Sequence, residues 1–218
     1  MTRAALVDLD GTLVDTTYLH THAWRRALLS HGIDVPTVRL HKLVGMGASD
    51  LLSEVAGEPR PEIEEAWAEE FDTLLDDVRA LPGADQLLRT LADRGLVVVV
   101  ATSGQERHVD ESLERLEARD VIGALVNSSE VEASKPAPDL FTAALDRAGA
   151  RPDDAVAIGD TVWDALAARA AGVLCLGVRT GGNAEAELTE AGCAAVFDDP
   201  GHLARELPTS PARHLLSP

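Results

Sequence analysis

Asp8 and Asp10 stand at the end of an apolar run, Ala4-Ala5-Leu6-Val7, whose composition is that of a buried strand. Two carboxylates two residues apart on a strand point to the same side and repel each other. A buried carboxylate is costly unless something pairs with it. The pair therefore either faces water in an ordinary turn or is held together by a cation for a chemical purpose. Three further stretches carry comparable groups: Thr102-Ser103-Gly104, Ser134-Lys135-Pro136-Ala137-Pro138, and the run from Gly159 and Asp160 to Trp163 and Asp164. Each has an ordinary reading. Asp10-Gly11 is a turn signal, Thr102 and Asp160 suit helix caps, and Lys135 alone would be a solvated surface lysine.

Together the four stretches suit phosphoryl transfer. Asp8 can attack phosphorus to give an aspartyl-phosphate. Asp10 can protonate the leaving oxygen and then deprotonate the attacking water. An unperturbed aspartate pKa of about 3.9 is low for an acid at neutral pH, so enclosure and a negative neighbour are expected to raise that of Asp10. Mg²⁺, a hard cation that prefers oxygen, would keep Asp8 ionised and reach the phosphoryl oxygens, with Asp160 as a further carboxylate ligand. The Thr102 hydroxyl and the Ser103 amide can bind phosphoryl oxygens. Lys135 supplies positive charge from a loop whose next residue, a proline, favours an extended backbone.

The elements that must position these groups alternate. Strand-like runs fall at residues 4–9, 96–101, 123–126, 155–159, 173–178 and 194–197, with helical periodicity at 105–119, 139–148 and 162–171. The continuous apolar run at 96–101 suits a parallel strand covered on both faces. The alternation predicts an α/β, Rossmann-like, doubly wound and mostly parallel sheet. In such sheets ligands gather beyond the carboxyl ends of the strands, which is where the four stretches fall. Between about residues 16 and 81 only helical signals occur, clearest at 61–80, where Ile63, Ala66, Trp67, Phe71, Leu74, Leu75 and Val78 form one stripe. The expected organisation is a core of residues 1–15 and 82–207, an inserted all-helical cap subdomain of residues 16–81, and a frayed, Pro/Ser-punctuated tail at 208–218.

"VDLDGTLVDT", "VVVVATSG", "SKPAPDLF" and "IGDTVWDALAARAAGV" resemble the four motifs of haloacid dehalogenase-like hydrolases, in the capped subgroup that holds phosphoglycolate phosphatases and β-phosphoglucomutases. The resemblance spans residues 4–197. It implies Asp8 as nucleophile, Asp10 as acid/base, Thr102 as the phosphate-binding hydroxyl and Lys135 as the motif lysine. It also implies Mg²⁺ held by Asp8, the backbone carbonyl of Asp10 and Asp160, with Asp164 supporting through water or Lys135. The dehalogenases lack the second aspartate of the first motif, so Asp10 disfavours dehalogenation. Phosphonoacetaldehyde hydrolases add a Schiff-base lysine in the cap. Lys42 is the only cap lysine and lacks that family's surroundings. Thr16 and His20 reproduce the Thr-x-x-x-His of β-phosphoglucomutases, but residues 45–49, "GMGAS", offer no arginine for a second phosphate. The resemblance thus implies a phosphatase acting on a small phosphorylated metabolite, with a sugar-phosphate mutase as the alternative. A non-catalytic phosphate-binding relative and a receiver-type domain fit less well.

The chain has 218 residues and 37 acidic against 19 basic side chains, a formal charge of −18. That balance argues against nucleic-acid and membrane-surface partners, though not against a small anion, because local charge can oppose the global sign. Cys175 and Cys193 are too few for a disulfide scaffold and lack metal-site spacing. Without a leader-like start or a long apolar stretch, a cytoplasmic protein is expected, as a monomer or weak homo-oligomer. His20 could face the cleft and bind phosphate, although packing or solvent is the ordinary place for such a histidine. Arg39, His41 and Lys42 read as a solvated face, Trp24 and Trp67 as cap core, Trp163 as packing, and residues 178–183 as a loop.

Overall fold

Continuous apolar strands need cover on both faces, and the chain provides it by following strands with helices. In the computed structural model, which describes residues 2–216, β1 (Thr2–Val7) is followed by four helices: α1 (Thr17–Ser30), α2 (Thr37–Leu43), α3 (Ala48–Ala56) and α4 (Pro61–Asp72). The chain returns through α5 (Ala84–Asp93) to β2 (Val97–Ala101), then α6 (Glu106–Leu113), β3 (Ile122–Val126), α7 (Asp139–Ala148) and β4 (Ala150–Gly159). It ends with α8 (Val162–Ala170), β5 (Leu174–Val178), α9 (Glu185–Ala191), β6 (Ala195–Phe197) and α10 (Pro200–Glu206). The strand order is β3-β2-β1-β4-β5-β6, and every pair is parallel. The chain steps outward from β1 first one way and then the other, so the switch point where ligands collect lies beside β1 and β4. No helix among the described residues is long and apolar enough to cross a membrane.

Alternate residues of β1 serve opposite faces. Ala5 and Val7 join a core with Val98, Val100, Ile158 and Leu176, which continues into the inserted helices through Leu28, Trp67 and Phe71. Ala4 and Leu6 join Val99, Ala101 and Ala157 against α7 and α8. Each fully buried Leu or Val contributes roughly 1.5–3 kcal/mol, so β1, buried from Ala4 to Val7, is a stiff stem for whatever follows it. Cys175 and Cys193 are free and buried, their sulfurs 3.6 Å apart.

Three local expectations differ from the structure. The helix expected at 105–119 stops at Leu113, because the Ala118 amide is drawn to the Asp85 carboxylate on α5, 2.8 Å away. The helix expected at 61–80 stops at Asp72; the Thr73 hydroxyl closes it on the Glu70 carbonyl. Beyond it the chain straightens to pair with its own outgoing limb, Asp15 N–H to the Arg79 carbonyl and Leu81 N–H to the Leu13 carbonyl. The two connections of the inserted helices are thereby tied side by side.

The third difference is the tail, which does not fray up to Leu216; residues 217–218 lie outside the described residues. Short 3-10 turns at Leu207–Thr209 and Pro211–Leu215 carry Leu207, Ala212 and Leu215 into the core. The Ser210 hydroxyl accepts from the Ala212 amide and starts the second turn. Proline and serine here begin turns that an apolar triplet then anchors. Leu215→Ala is expected to cost about 2–4 kcal/mol, as usual for a buried leucine, and to lower the urea midpoint accordingly. An unchanged midpoint would show the tail to be off the core.

Candidate active site

The carboxyl end of β1 closes with one last ladder bond, Asp8 N–H to the Ile158 carbonyl at 2.9 Å. The chain then turns sharply, with the Gly11 amide bonded to the Val14 carbonyl and Leu13 to that of Leu9. Gly11 has φ +79°, and a Cβ there would overlap Thr17 and the Asp160 carboxylate. Glycine is required on both counts. The turn holds Asp8, 5% exposed, at the sheet edge.

Lys135 reaches Asp8 from the loop before α7, across a cis Lys135–Pro136 bond. Its ammonium donates to Asp8 Oδ1 and lies 2.7 Å from Asp164 Oδ1. Asp164 sits in the first turn of α8. Its other oxygen accepts from the Thr161 amide and hydroxyl, while the Thr161 hydroxyl accepts from the Asp164 amide. This reciprocal cap fixes the carboxylate without a flexible joint. Asp160, at the end of β4, accepts from the Thr12 hydroxyl at 2.8 Å through Oδ1, and its buried Oδ2 has no partner.

Asp10 is held differently. Its Oδ1 accepts from the Thr16 hydroxyl at 2.7 Å and from His20 Nε2 at 3.0 Å, and its Oδ2 from the Thr102 hydroxyl at 3.3 Å. Thr16 occupies the N-cap position of α1, where a threonine hydroxyl ordinarily caps the helix. Here it makes no cap bond and is given to Asp10. The His20 ring lies flat on Phe71, centroids 4.0 Å apart, so α4 sets the ring that α1 carries.

These surroundings drive the carboxylates apart electrostatically. Burial pushes Asp8 up to about 7; Lys135 opposes the rise, while Asp164 and Asp10 add to it. Burial also raises Asp160 well above the carboxylate range, helped by Asp8 and Asp164 and opposed by Thr12 and Lys135. Burial would likewise raise Asp10, but the charge and hydrogen bond of His20, with Thr16 and Lys135, outweigh it and hold Asp10 below its ordinary value. The expectation of a raised Asp10 is therefore corrected. Enclosure is present, but the neighbouring His20, with Thr16, outweighs it. Burial disfavours the Lys135 ammonium, yet Asp164 and Asp8 overcome that and raise it above the usual lysine range.

Oxygens of Asp8, Asp160 and Asp164 all lie within 4.8 Å of one another. Two of these buried carboxylates, Asp8 and Asp164, share one ammonium, and the third, Asp160, has a bare oxygen. That donor set fits a hard divalent cation. The Asp10 carboxylate lies outside the cluster, and it is the Asp10 carbonyl that the resemblance assigns to the metal.

A cavity of about 340 Å³ opens over Asp8 and Asp10, with His20, Thr102 and Ser103 on its wall and Trp24, Trp67 and residues 44–51 of the inserted segment facing them. Lys135, Asp160 and Asp164 are not on that wall. Ser103 donates to the Gly45 carbonyl and accepts from Ser134, and its own hydroxyl links core to insertion. His20 spends Nε2 on Asp10, and its buried Nδ1 has no partner.

Arg39, His41 and Lys42 do not reach the cavity. His41 bonds the Gly181 carbonyl at 2.8 Å, Lys42 pairs with Glu187 at 2.8 Å, and Arg39 bonds the Glu54 carbonyl. Trp163 donates to the Lys42 carbonyl. Trp24 and Trp67 belong to the core of the inserted helices, stacked 4.9 Å apart, and also to the cavity wall.

Sequence reasoning missed the loop at 178–183. Thr180 donates to the Gly11 carbonyl, Asn183 to the Asp160 carbonyl at 3.1 Å, and a Cβ at Gly181 would overlap Asp160 Oδ2. Two adjacent glycines at the carboxyl end of a strand were the available signal.

The family profile of haloacid dehalogenase-like hydrolases matches residues 2–172. The chain is 31% identical over 191 residues to validoxylamine A 7'-phosphate phosphatase of Streptomyces hygroscopicus subsp. limoneus, covering 85% of this chain and 90% of that one. It is 30% identical over 215 residues to a phosphoglycolate phosphatase of Rhodospirillum rubrum, covering 91% and 88%. The solved structure of a hydrolase from Pseudomonas syringae matches with a TM-score of 0.89 at 34% identity, over 95% of this chain and 99% of that chain. With the motif residues gathered at one sheet edge and three-quarters of the chain matching the profile, the protein belongs to the haloacid dehalogenase-like hydrolases.

Proposed function

We propose that this hydrolase is a Mg²⁺-dependent phosphatase that acts on a small phosphorylated metabolite through a phosphate ester of Asp8, with the inserted helices, residues 16–81, serving as its cap. The observation that carries the reading is the pairing at the cavity floor. Asp8 faces the cavity with a lysine ammonium on one oxygen, and a second carboxylate, Asp10, stands beside it under separate control. Relatives named as phosphatases support the same reaction class.

Each residue then has a task. Asp8 attacks phosphorus, and the bond from phosphorus to the ester oxygen breaks as Asp10 gives that oxygen a proton. Asp10 next takes a proton from water, whose oxygen displaces Asp8 and releases phosphate. His20 favours the carboxylate form of Asp10, the form that accepts the proton. A phosphate dianion beside Asp10 acts against His20 and favours the form that donates it. Lys135 fixes Asp8 and sustains positive charge beneath the phosphoryl group, while the Thr102 hydroxyl and Ser103 amide bind its oxygens. Mg²⁺, held by Asp8, Asp160 and the Asp10 carbonyl with Asp164 in support, would neutralise the crowded carboxylates and polarise a phosphoryl oxygen. The cap excludes bulk water. The cavity wall has no arginine or lysine for a second phosphate, which favours water over a phosphorylated sugar as acceptor.

Three outcomes test the reading. Para-nitrophenyl phosphate should be hydrolysed with Mg²⁺ and not with EDTA, and Asp8→Asn should lose about 10³-fold or more in kcat; near-wild-type turnover by that variant would remove Asp8 from the reaction.

The raised Asp8 and Asp160 mean that the metal-free fold keeps protons that the unfolded chain gives up above about pH 4. Metal-free stability therefore falls as pH rises from about 4 through 7. Saturating Mg²⁺, which at a hundredfold excess over Kd adds about 2.7 kcal/mol, should raise Tm more at pH 8 than at pH 5. Asp160→Asn should raise the metal-free Tm and abolish the Mg²⁺ increment, and a pH-independent increment would contradict the assignment.

Gly181→Ala, whose methyl displaces the Asp160 carboxylate, should cut kcat/KM at least tenfold and raise the Mg²⁺ concentration needed for half activity. Unchanged Mg²⁺ dependence would show that the 178–183 loop does not shape the site.

A further inference from the structure

The walls of the cavity carry a charge pattern that the chemistry at its floor does not use. Asp50 on α3, Glu64 on α4 and Glu132 in the loop before Lys135 all line it, from three separate segments. No lysine or arginine is on the wall, and the one histidine, His20, has its Nε2 on Asp10. Among the described residues, Asp50, Glu64 and Glu132 have no ion-pair partner. Glu64 Oε1 accepts only the Gln105 amide, 2.9 Å away. Trp24 and Trp67, stacked on each other, give the same cavity an apolar wall.

We propose that the substrate is the phosphate monoester of an amine-bearing polyol, such as an amino sugar, and that esters with a second anionic group are turned away. This rests on the phosphatase reading above. The phosphate end is met by positive charge at the floor, from Lys135 and the metal. The leaving group then lies among three carboxylates, where an ammonium finds opposite charge and a carboxylate or second phosphate finds only its own sign. A carbon ring packs on the tryptophans. The cavity volume, about 340 Å³, is at the small end for ligand sites and holds a hexose-sized group with room to spare. A two-carbon acid would leave most of it to water.

The test uses the full chain with Mg²⁺ and compares kcat/KM for glucosamine 6-phosphate, glucose 6-phosphate, 6-phosphogluconate and phosphoglycolate, with para-nitrophenyl phosphate as reference. Glucosamine 6-phosphate is expected to exceed glucose 6-phosphate at least tenfold, about 1.4 kcal/mol. The two acids are expected to fall at least tenfold below glucose 6-phosphate. Glu64→Gln and, independently, Asp50→Asn should each shrink the amine-to-neutral ratio at least threefold, through KM, and added salt should shrink it in the wild type. If the aryl ester is hydrolysed but the amine is not preferred, or either acid is the better substrate, or both variants keep the full ratio, the proposal is overturned and the phosphatase reading stands. If no ester is hydrolysed, the aryl one included, both fall.

Discussion

Three carboxylates, Asp8, Asp160 and Asp164, crowd one buried ammonium, that of Lys135. Removing Lys135 would leave buried carboxylates uncompensated, at a cost of several kcal/mol. The arrangement is tolerable only because every member is fixed from a rigid element: Asp8 and Asp160 at the ends of adjacent strands, Asp164 in a capped first helical turn, Lys135 in the loop that opens α7. The apolar sheet beneath supplies the stiffness, and the remaining negative charge supplies affinity for a cation. A folding liability is thus retained as a binding site, the trade usually seen where stability is given up for activity.

The second carboxylate depends on a different part of the chain. Asp10 is set by Thr16 and His20, which the inserted helices carry, and His20 is set in turn by Phe71. The surroundings of Asp10 are therefore assembled only while insertion and sheet are together. They are joined on two sides, by His108 to Asp72 at 2.7 Å and Gln105 to Glu64 on one, and by Lys42 to Glu187 and His41 to the Gly181 carbonyl on the other. Most of these contacts are polar and partly exposed, each worth little alone. Gln105 and Glu64 also line the cavity, so the joint and the substrate wall share residues.

The sheet, its helices and the five acidic or basic motif residues were legible because they are written locally. Four valines in a row, paired aspartates after a strand, and a lysine before two prolines each carry their own signal. Helix ends were less legible. Beyond α6 the Ala118 amide goes to Asp85, far away in sequence, and beyond α4 residues 79–81 pair with the outgoing limb at residues 13–15. The packed tail, whose proline and serine read as breakers, needed its apolar triplet to be weighed against a core not yet known. The polarity of the Asp10 environment was misjudged for the same reason. Its sign depends on His20, ten residues away, and the sequence does not say which way that ring turns. Residues 180–183, which cradle Asp160, look like any glycine-rich loop until the strand order places them next to it.

The most direct measurement is a rapid acid quench of the wild-type enzyme mixed with Mg²⁺ and a phosphate ester carrying radiolabelled phosphorus, followed by peptide mapping of the protein. Covalent label should appear on Asp8 within the first turnover and decay at the rate of phosphate release. Phosphate released in that turnover with no covalent label, or label on any other residue, would contradict Asp8 as the group held at the centre of this network to attack phosphorus.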